Sequence, residues 1–253
     1  MNPEEMIPEE MNRKLVAWIR EQVEGAGAKG VVLGMSGGID SAVVAVLCKQ
    51  AFPQSTLGVM MPCHSNPQDE EHARIVAEKL SIPFKVVVLD PVFDATLKVL
   101  PEDNTVIDPA FGRKASANLK PRLRMLTLYY FSNRLNYMVV GSGNRSELAI
   151  GYFTKYGDGG VDILPIGNLV KAQVRELALF LGIPQQIIDK PPSAGLWEGQ
   201  TDESEMGISY AELDGYLSGQ HQDGLLIDCI PIESMIKRNM HKCLVPPIPG
   251  SYR

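Results

Sequence analysis

Residues 34–41, Gly-Met-Ser-Gly-Gly-Ile-Asp-Ser, join an apolar run at 31–33 to an apolar helical pattern at 42–48. Three small residues, Ser36, Gly37 and Gly38, stand where a strand hands over to a helix. Glycines there let the backbone approach a ligand closely, and the helix that follows points unpaired N–H groups and its positive dipole end at the same place. Ser36 and Ser41 add hydroxyls. Asp40 adds a carboxylate that repels a bare phosphate, so its presence makes sense where a divalent cation lies between it and the phosphates. Gly34, Met35, Ser36, Gly37, Gly38, Ile39, Asp40 and Ser41 therefore read as a magnesium–pyrophosphate cradle. The plainer alternative is a tight turn whose Ser or Asp caps the helix. The stretch is not a Walker A loop, which needs a lysine after the glycines. The Gly141-Ser142-Gly143 triplet lacks the third glycine of a dinucleotide fingerprint.

The elements that must position this loop follow from periodicity. Leu15, Trp18, Ile19 and Val23 recur at helical spacing. Four strand-like runs follow, at 30–35, 56–62, 84–90 and 137–143, with helical patterns at 40–50, 67–80, 91–100, 114–134 and 144–150. Strands that are apolar throughout rather than alternating predict a parallel sheet covered on both faces by helices. Ligands of such sheets sit beyond the carboxyl ends of the strands. The stretches 34–41, 61–71 and 141–147 all fall there. Beyond residue 150 the pattern loosens: 151–168 and 190–203 read as irregular lids, with helices at 170–182, 209–218 and 230–240. No repeat or linker divides residues 1–253, which read as one α/β domain.

The bulk composition excludes several classes. A net charge of −6 argues against a broad nucleic-acid surface, so any basic site is local. The acidic N-terminus lacks a signal-peptide core, and no apolar run approaches the length of a membrane span. The four cysteines show no CxxC and no finger spacing. These features predict a cytoplasmic protein with reduced thiols and no nucleic-acid or membrane partner.

The SGGxDS run after a first strand resembles the signature of the ATP-pyrophosphatase (PP-loop) superfamily, which adenylylates substrates by cleaving ATP between its α and β phosphates. The resemblance implies a Rossmann-like three-layer α/β/α fold with a parallel sheet, of the adenine nucleotide α-hydrolase-like kind. Within that superfamily, the stretches at 141–178, 190–203 and 241–242, with 118–125 upstream, resemble the NAD synthetase family along nearly the whole chain. The implied reaction is amidation of deamido-NAD by ammonia, with ATP as co-substrate, releasing AMP and pyrophosphate. The chain has the length of a bare synthetase with no glutaminase domain, so free ammonia is the expected nitrogen donor.

Residue by residue, the resemblance implies that the 34–41 loop, Ser142, Lys171 and Ser193 contact ATP, with the two serines at positions where threonine is common. It implies Asp40 and Glu147 as Mg2+ ligands, Asp158 and Lys171 as catalytic residues, and Arg122, Lys155, Asp162, His241 and Lys242 as deamido-NAD contacts. Lys171 opens a helix, where a cation gains nothing from the dipole, so a phosphate partner is expected for it. The glycines around Asp158 suit a lid that excludes water from a hydrolysable adenylate. His64 and His72 receive no role, and Cys63 replaces an aromatic common in the family. A homodimer sharing the substrate site is expected, with Leu123, Leu126, Tyr130 and Leu135 on a long helix as its apolar face. The competing readings are another adenylylating enzyme of the superfamily, for which tRNA-modifying members would want a basic surface, and a non-catalytic nucleotide-binding module, which has no use for a second carboxylate.

Overall fold

In the computed structural model, residues 7–101, 109–197, 199–219 and 229–249 are described. Four parallel strands, β1 (Val31–Gly34), β2 (Thr56–Met60), β3 (Phe84–Val86) and β4 (Met138–Val140), form one sheet in the order β3-β2-β1-β4. Val31 pairs with Thr56 on one side and with Met138 on the other, which fixes the register of the centre. A single parallel bridge between Val140 and Ile163 continues the sheet beyond β4. The order runs outward from β1 in both directions, so a crevice opens between the ends of β1 and β4. That crevice receives both the 34–41 loop and the 141–147 segment.

Alternate residues of the strands feed two cores. Val31, Leu33 and Met60 pack with helices α1 (Pro8–Gly25), α2 (Ile39–Ala51), α3 (Pro67–Lys79) and α8 (Lys171–Phe180) on one face. Val32, Leu57, Val59 and Val139 pack with α4 (Asp90–Val99) and α6 (Leu119–Leu135) on the other. This is the three-layer α/β/α arrangement expected from the sequence. A third cluster, built on Ile150, Met206, Tyr210, Leu213 and Ile232, joins α7 (Arg145–Ile150), α10 (Asp202–Met206), α11 (Tyr210–Leu217) and α12 (Cys229–Asn239). No helix among the described residues is long and apolar enough to cross a membrane.

Three expectations need correction. β3 is not buried on both faces: it is an edge strand with Lys85 and Val86 exposed, because only β2 pairs with it. The helix expected at 114–134 is two helices, α5 (Pro109–Ala117) and α6, separated at Asn118. Pro121 has no N–H to offer the Ala117 carbonyl and its ring crowds that carbonyl, so the ladder breaks one turn earlier. Two short helices were not expected: α9 (Gln185–Ile188), between the helix expected at 170–182 and the second irregular stretch, and α10, which begins at the end of that stretch and is capped by Thr201 Oγ1 accepting from the Ser204 N–H at 3.3 Å.

Candidate active site

The loop after β1 holds its own shape. Ser41 Oγ donates to the Gly38 carbonyl at 2.9 Å and accepts from the Ser36 N–H at 3.3 Å, and the two serine hydroxyls lie 3.0 Å apart. Gly37 has φ +76°, and a Cβ on it would stand 2.2 Å from the Asp69 carbonyl oxygen, so both the conformation and the close approach require glycine. Gly38 begins α2 with no side-chain cap, which leaves the first N–H groups of that helix directed at the crevice. The result is a donor-rich concavity suited to an anion.

Opposite the loop, Asn144 and Glu147 close a capping box at the start of α7: Asn144 Oδ1 accepts from the Glu147 N–H and Glu147 Oε2 accepts from the Asn144 N–H. Asn144 is fully buried, and its Nδ2 donates to Asp40 Oδ1 at 3.0 Å. Lys171 enters from α8, with its ammonium 2.5 Å from Asp40 Oδ2 and 3.5 Å from Glu147 Oε1. Its side chain is 3% exposed, against 17% for each carboxylate. Burial at the cleft floor and the neighbouring Asp40 charge push the Glu147 carboxyl up to about 8, against the pull of Lys171. Burial alone would lower the Lys171 ammonium, but Asp40 and Glu147 hold it above its ordinary range.

Val170 at the start of α8 has no side chain that can cap the helix, although Gln173 Oε1 accepts from its N–H at 3.0 Å. Asp214 supplies a cap from α11: its Oδ2 accepts from the Ala172 N–H at 2.9 Å, while Oδ1 accepts from Ser146 Oγ, which in turn accepts from the Lys171 N–H. Tyr210 on the same helix lies with its ring 4.8 Å from the Lys171 ammonium, and its hydroxyl donates to Asp202 Oδ2 at 3.0 Å. Lys171 is thereby fixed on the two carboxylates rather than left free in solution.

Asp40 and Glu147 fit a divalent cation. Their oxygens converge on one point, marked by the ammonium that lies against both, and the donor set is oxygen only, as a hard cation requires. No cluster of three His, Cys, Asp or Glu residues that could hold a metal exists among the described residues. An ion here would thus complete its shell from phosphate and water, the usual habit of Mg2+.

One cleft of about 1310 Å³ contains most of the residues expected from the sequence. Gly34, Met35, Ser36, Gly38, Ile39, Asp40, Ser142, Glu147, Asp158, Lys171 and Ser193 line it, as do Arg122, Lys155, His241 and Lys242. Gly37 and Ser41 shape the loop without lining the cleft. Asp162 is not brought to it either: its oxygens accept from Tyr129 Oη at 2.9 Å and from the Val139 N–H at 2.7 Å, which ties the segment after the lid to β4. Of the basic turn at 120–124, Arg122 and Arg124 line the cleft and Lys120 does not; Arg122 reaches the Lys155 carbonyl at 3.5 Å. Lys120 donates to the Leu196 carbonyl, and Arg124 to the Met61 carbonyl and Ser65 Oγ. Lys242 donates to the Gly151 and Phe153 carbonyls, and Lys155 to the His241 carbonyl at 2.6 Å, so these cations also brace the lid. Lys171, for which a phosphate partner is expected, is held by two carboxylates.

Sequence reasoning missed Asn144, Asp202, Tyr210 and Asp214. Asn144 was legible, because Asn-x-x-Glu before a helix is a capping-box signal. The other three reach the site from α10 and α11 over more than thirty residues of intervening chain and carry no local signature.

The strand order, the switch-point crevice and the glycine loop facing two carboxylates define a parallel α/β nucleotide-binding protein of the PP-loop type. Comparison with known proteins narrows this. The family described as NAD synthase matches residues 11–246, and the chain belongs to that family. An NH3-dependent NAD+ synthetase from Carboxydothermus hydrogenoformans is 52% identical over 241 residues, covering 95% of this chain and 97% of the relative. Among solved structures, an NMN synthetase from Francisella tularensis is 36% identical with a TM-score of 0.88, covering 98% of this chain and all of that one. An NH3-dependent NAD synthetase from Campylobacter jejuni, in complex with nitrate, is 29% identical with a TM-score of 0.77, covering 97% of this chain and all of that one.

Proposed function

We propose that this chain is a C–N ligase that amidates deamido-NAD with ammonia at the expense of ATP, giving NAD, AMP and pyrophosphate. The observation that carries the reading is the convergence of Asp40, Glu147 and Lys171 on one point beside a glycine loop rich in N–H donors. A carboxylate resists ammonia because its oxygen is a poor leaving group. In the first step, a nicotinate carboxylate oxygen attacks the α-phosphorus of ATP and the α–β bridging bond breaks, releasing pyrophosphate. In the second, the ammonia lone pair attacks the acyl carbon, the acyl–oxygen bond breaks, AMP departs with that oxygen, and a proton leaves the nitrogen. Splitting one hard displacement into two easier ones is the logic of covalent activation.

This reading assigns a role to each of the residues. The 34–41 loop binds the polyphosphate through its N–H groups, with Ser142 and Ser193 at its margins. Asp40 and Glu147 would hold Mg2+, which would supply charge neutralisation at the phosphates. Lys171, kept protonated by those carboxylates, stabilises charge at the α-phosphoryl group. Asp158 lines the cleft from the lid, where the Thr154 N–H holds it at 2.9 Å, and on this reading it accepts a proton from the incoming nitrogen. Arg122, Lys155, His241 and Lys242 supply donors for the second nucleotide, whose two phosphates need cations. A cleft of about 1310 Å³ exceeds the range of about 300–1,000 Å³ usual for one small ligand, which supports two nucleotides.

The working unit we propose is a homodimer that encloses the deamido-NAD site. On α6, Leu126 is 64% exposed and Tyr130 57%, while Leu123 packs inward, so the helix shows solvent an apolar face that one sheet does not use. An obligate interface of about 2,000 Å² or more would cover it.

A second reading, amidation of nicotinate mononucleotide to NMN, is favoured by the likeness to the Francisella NMN synthetase. Assaying both acids at matched concentrations, with ammonium or glutamine as donor, separates the two. The first reading requires higher kcat/KM for the dinucleotide with ammonium. A preference for the mononucleotide selects the second, and turnover of neither overturns both.

A further inference from the structure

Asp69, in the first turn of α3, touches two parts of the cleft that lie far apart in sequence. Its carbonyl oxygen packs against Gly37 of the phosphate loop, so closely that a Cβ there would stand 2.2 Å away. Its carboxylate Oδ1 pairs with Lys190 Nζ at 2.5 Å, and Oδ2 lies near Gly195, 3.6 Å from where a Cβ would be. Lys190 opens the segment that carries Ser193, and both partners of the pair are 25% exposed. A second cation, Lys120, holds the far end of the same segment through the Leu196 carbonyl at 2.9 Å. Left unpaired, the Asp69 carboxylate would repel a polyphosphate in the adjoining loop. Paired, it is neutralised and draws the segment over that loop. Partial burial screens the pair less than an open surface bridge.

We propose that Asp69 and Lys190 form a positioning latch that seats the 190–197 segment, and with it Ser193, against the phosphate loop. The proposal rests on the reading of 34–41 as the site of the ATP phosphates. Lys190 acts here through Asp69 and the segment's placement; it is a positioning residue, not a group that reacts.

The chain has two tryptophans, and one of them, Trp197, lies on this segment, stacked under Arg113 with the guanidinium 5.8 Å from its ring. In a Trp18→Phe background, acrylamide quenching of Trp197 reports seating of the segment without reference to turnover. Lys190→Met and Asp69→Asn are each expected to raise the quenching constant by about twofold, as local opening exposes the ring. Each should also raise the KM for ATP by about tenfold, equivalent to about 1.4 kcal/mol, with a smaller change in kcat. The exchanged pair Asp69→Lys/Lys190→Asp should restore both quantities toward the parent, and Lys190→Arg should preserve them. Unchanged quenching in the single variants overturns the latch. So does an exchanged pair that folds but stays open, which would make Lys190 a direct phosphate ligand. If the exchanged pair does not fold, loss of seating in Lys190→Arg overturns it instead. A parent protein without ligase activity refutes the proposed function, yet leaves the quenching test of the latch intact.

Discussion

Replacing Lys171 by methionine removes a buried charge and keeps most of the side chain's volume. The ammonium lies 2.5 Å from Asp40 and 3.5 Å from Glu147 and is 3% exposed, so its loss leaves two carboxylates facing one another with no counter-charge. At an effective dielectric constant of about 20, the attraction to the Asp40 carboxylate is worth about 7 kcal/mol before desolvation of the ions is subtracted, and Glu147, its carboxyl pushed up to about 8, adds less at neutral pH. Breaking one partner out of a buried ion cluster costs about 3–5 kcal/mol net. For a chain of this size that corresponds to a fall in Tm of about 6–20 °C. Magnesium should recover part of it, since a divalent ion can take the place the ammonium leaves between Asp40 and Glu147. Thermal melts of parent and Lys171→Met, with and without MgCl2 and no nucleotide, measure both effects, and AMP release measures turnover. The variant should melt lower, gain more from magnesium than the parent does, and lack turnover. A loss of stability below about 1 kcal/mol, or an equal magnesium response in both proteins, refutes the convergent geometry.

Asp40→Asn and Glu147→Gln should each abolish magnesium-dependent turnover while the far-UV spectrum is kept; near-parent activity in both would remove the metal assignment. Glu147 also carries a pH signature: its carboxyl titrates near about 8 in the folded chain against 4.5 ordinarily, so folding takes up a proton between those values. Its contribution is complete below about 4.5 and is lost as pH rises toward about 8, so metal-free Tm should decline across that window and Glu147→Gln should flatten the decline. Gly37→Ala should cost about 1–3 kcal/mol and weaken ATP binding. By contrast, Gly38→Ala, whose Cβ meets only Ser36 Oγ at 3.4 Å, should leave Tm near the parent value. Sedimentation across a dilution series should give a dimer, with deamido-NAD affinity falling on dissociation; a monomer with full affinity would end the shared-site proposal.

The sequence made the sheet legible because its strands are short apolar runs, each followed by a helical pattern. The loop at 34–41 was legible because its chemistry is local: the glycines, the serines and the aspartate that need one another are neighbours. Glu147 and Asn144 share that property through the capping box. What stayed hidden depends on long-range packing. Asp214 caps α8 from α11, Tyr210 and Asp202 flank Lys171 from beyond the lid, and Asp69 meets Lys190 across 121 positions. The exposed flank of β3 was hidden for a related reason, since an edge strand and a central one differ in their neighbours rather than in their residues. Asp162, expected as a substrate contact, also ties Tyr129 to the β4 backbone within one chain, a link that no local sequence signal announces.

The central claim is that the cleft activates a carboxylate by moving AMP onto it, and oxygen labelling tests that claim at the bond concerned. Deamido-NAD carrying 18O in both oxygens of its nicotinate carboxylate is turned over with ATP, magnesium and ammonium, and the products are resolved by mass spectrometry. Transfer of AMP followed by attack of ammonia leaves one labelled oxygen in the amide and delivers the other to the phosphate of AMP, with pyrophosphate unlabelled. Label in pyrophosphate or in inorganic phosphate, or NAD formed with unlabelled AMP, would contradict it.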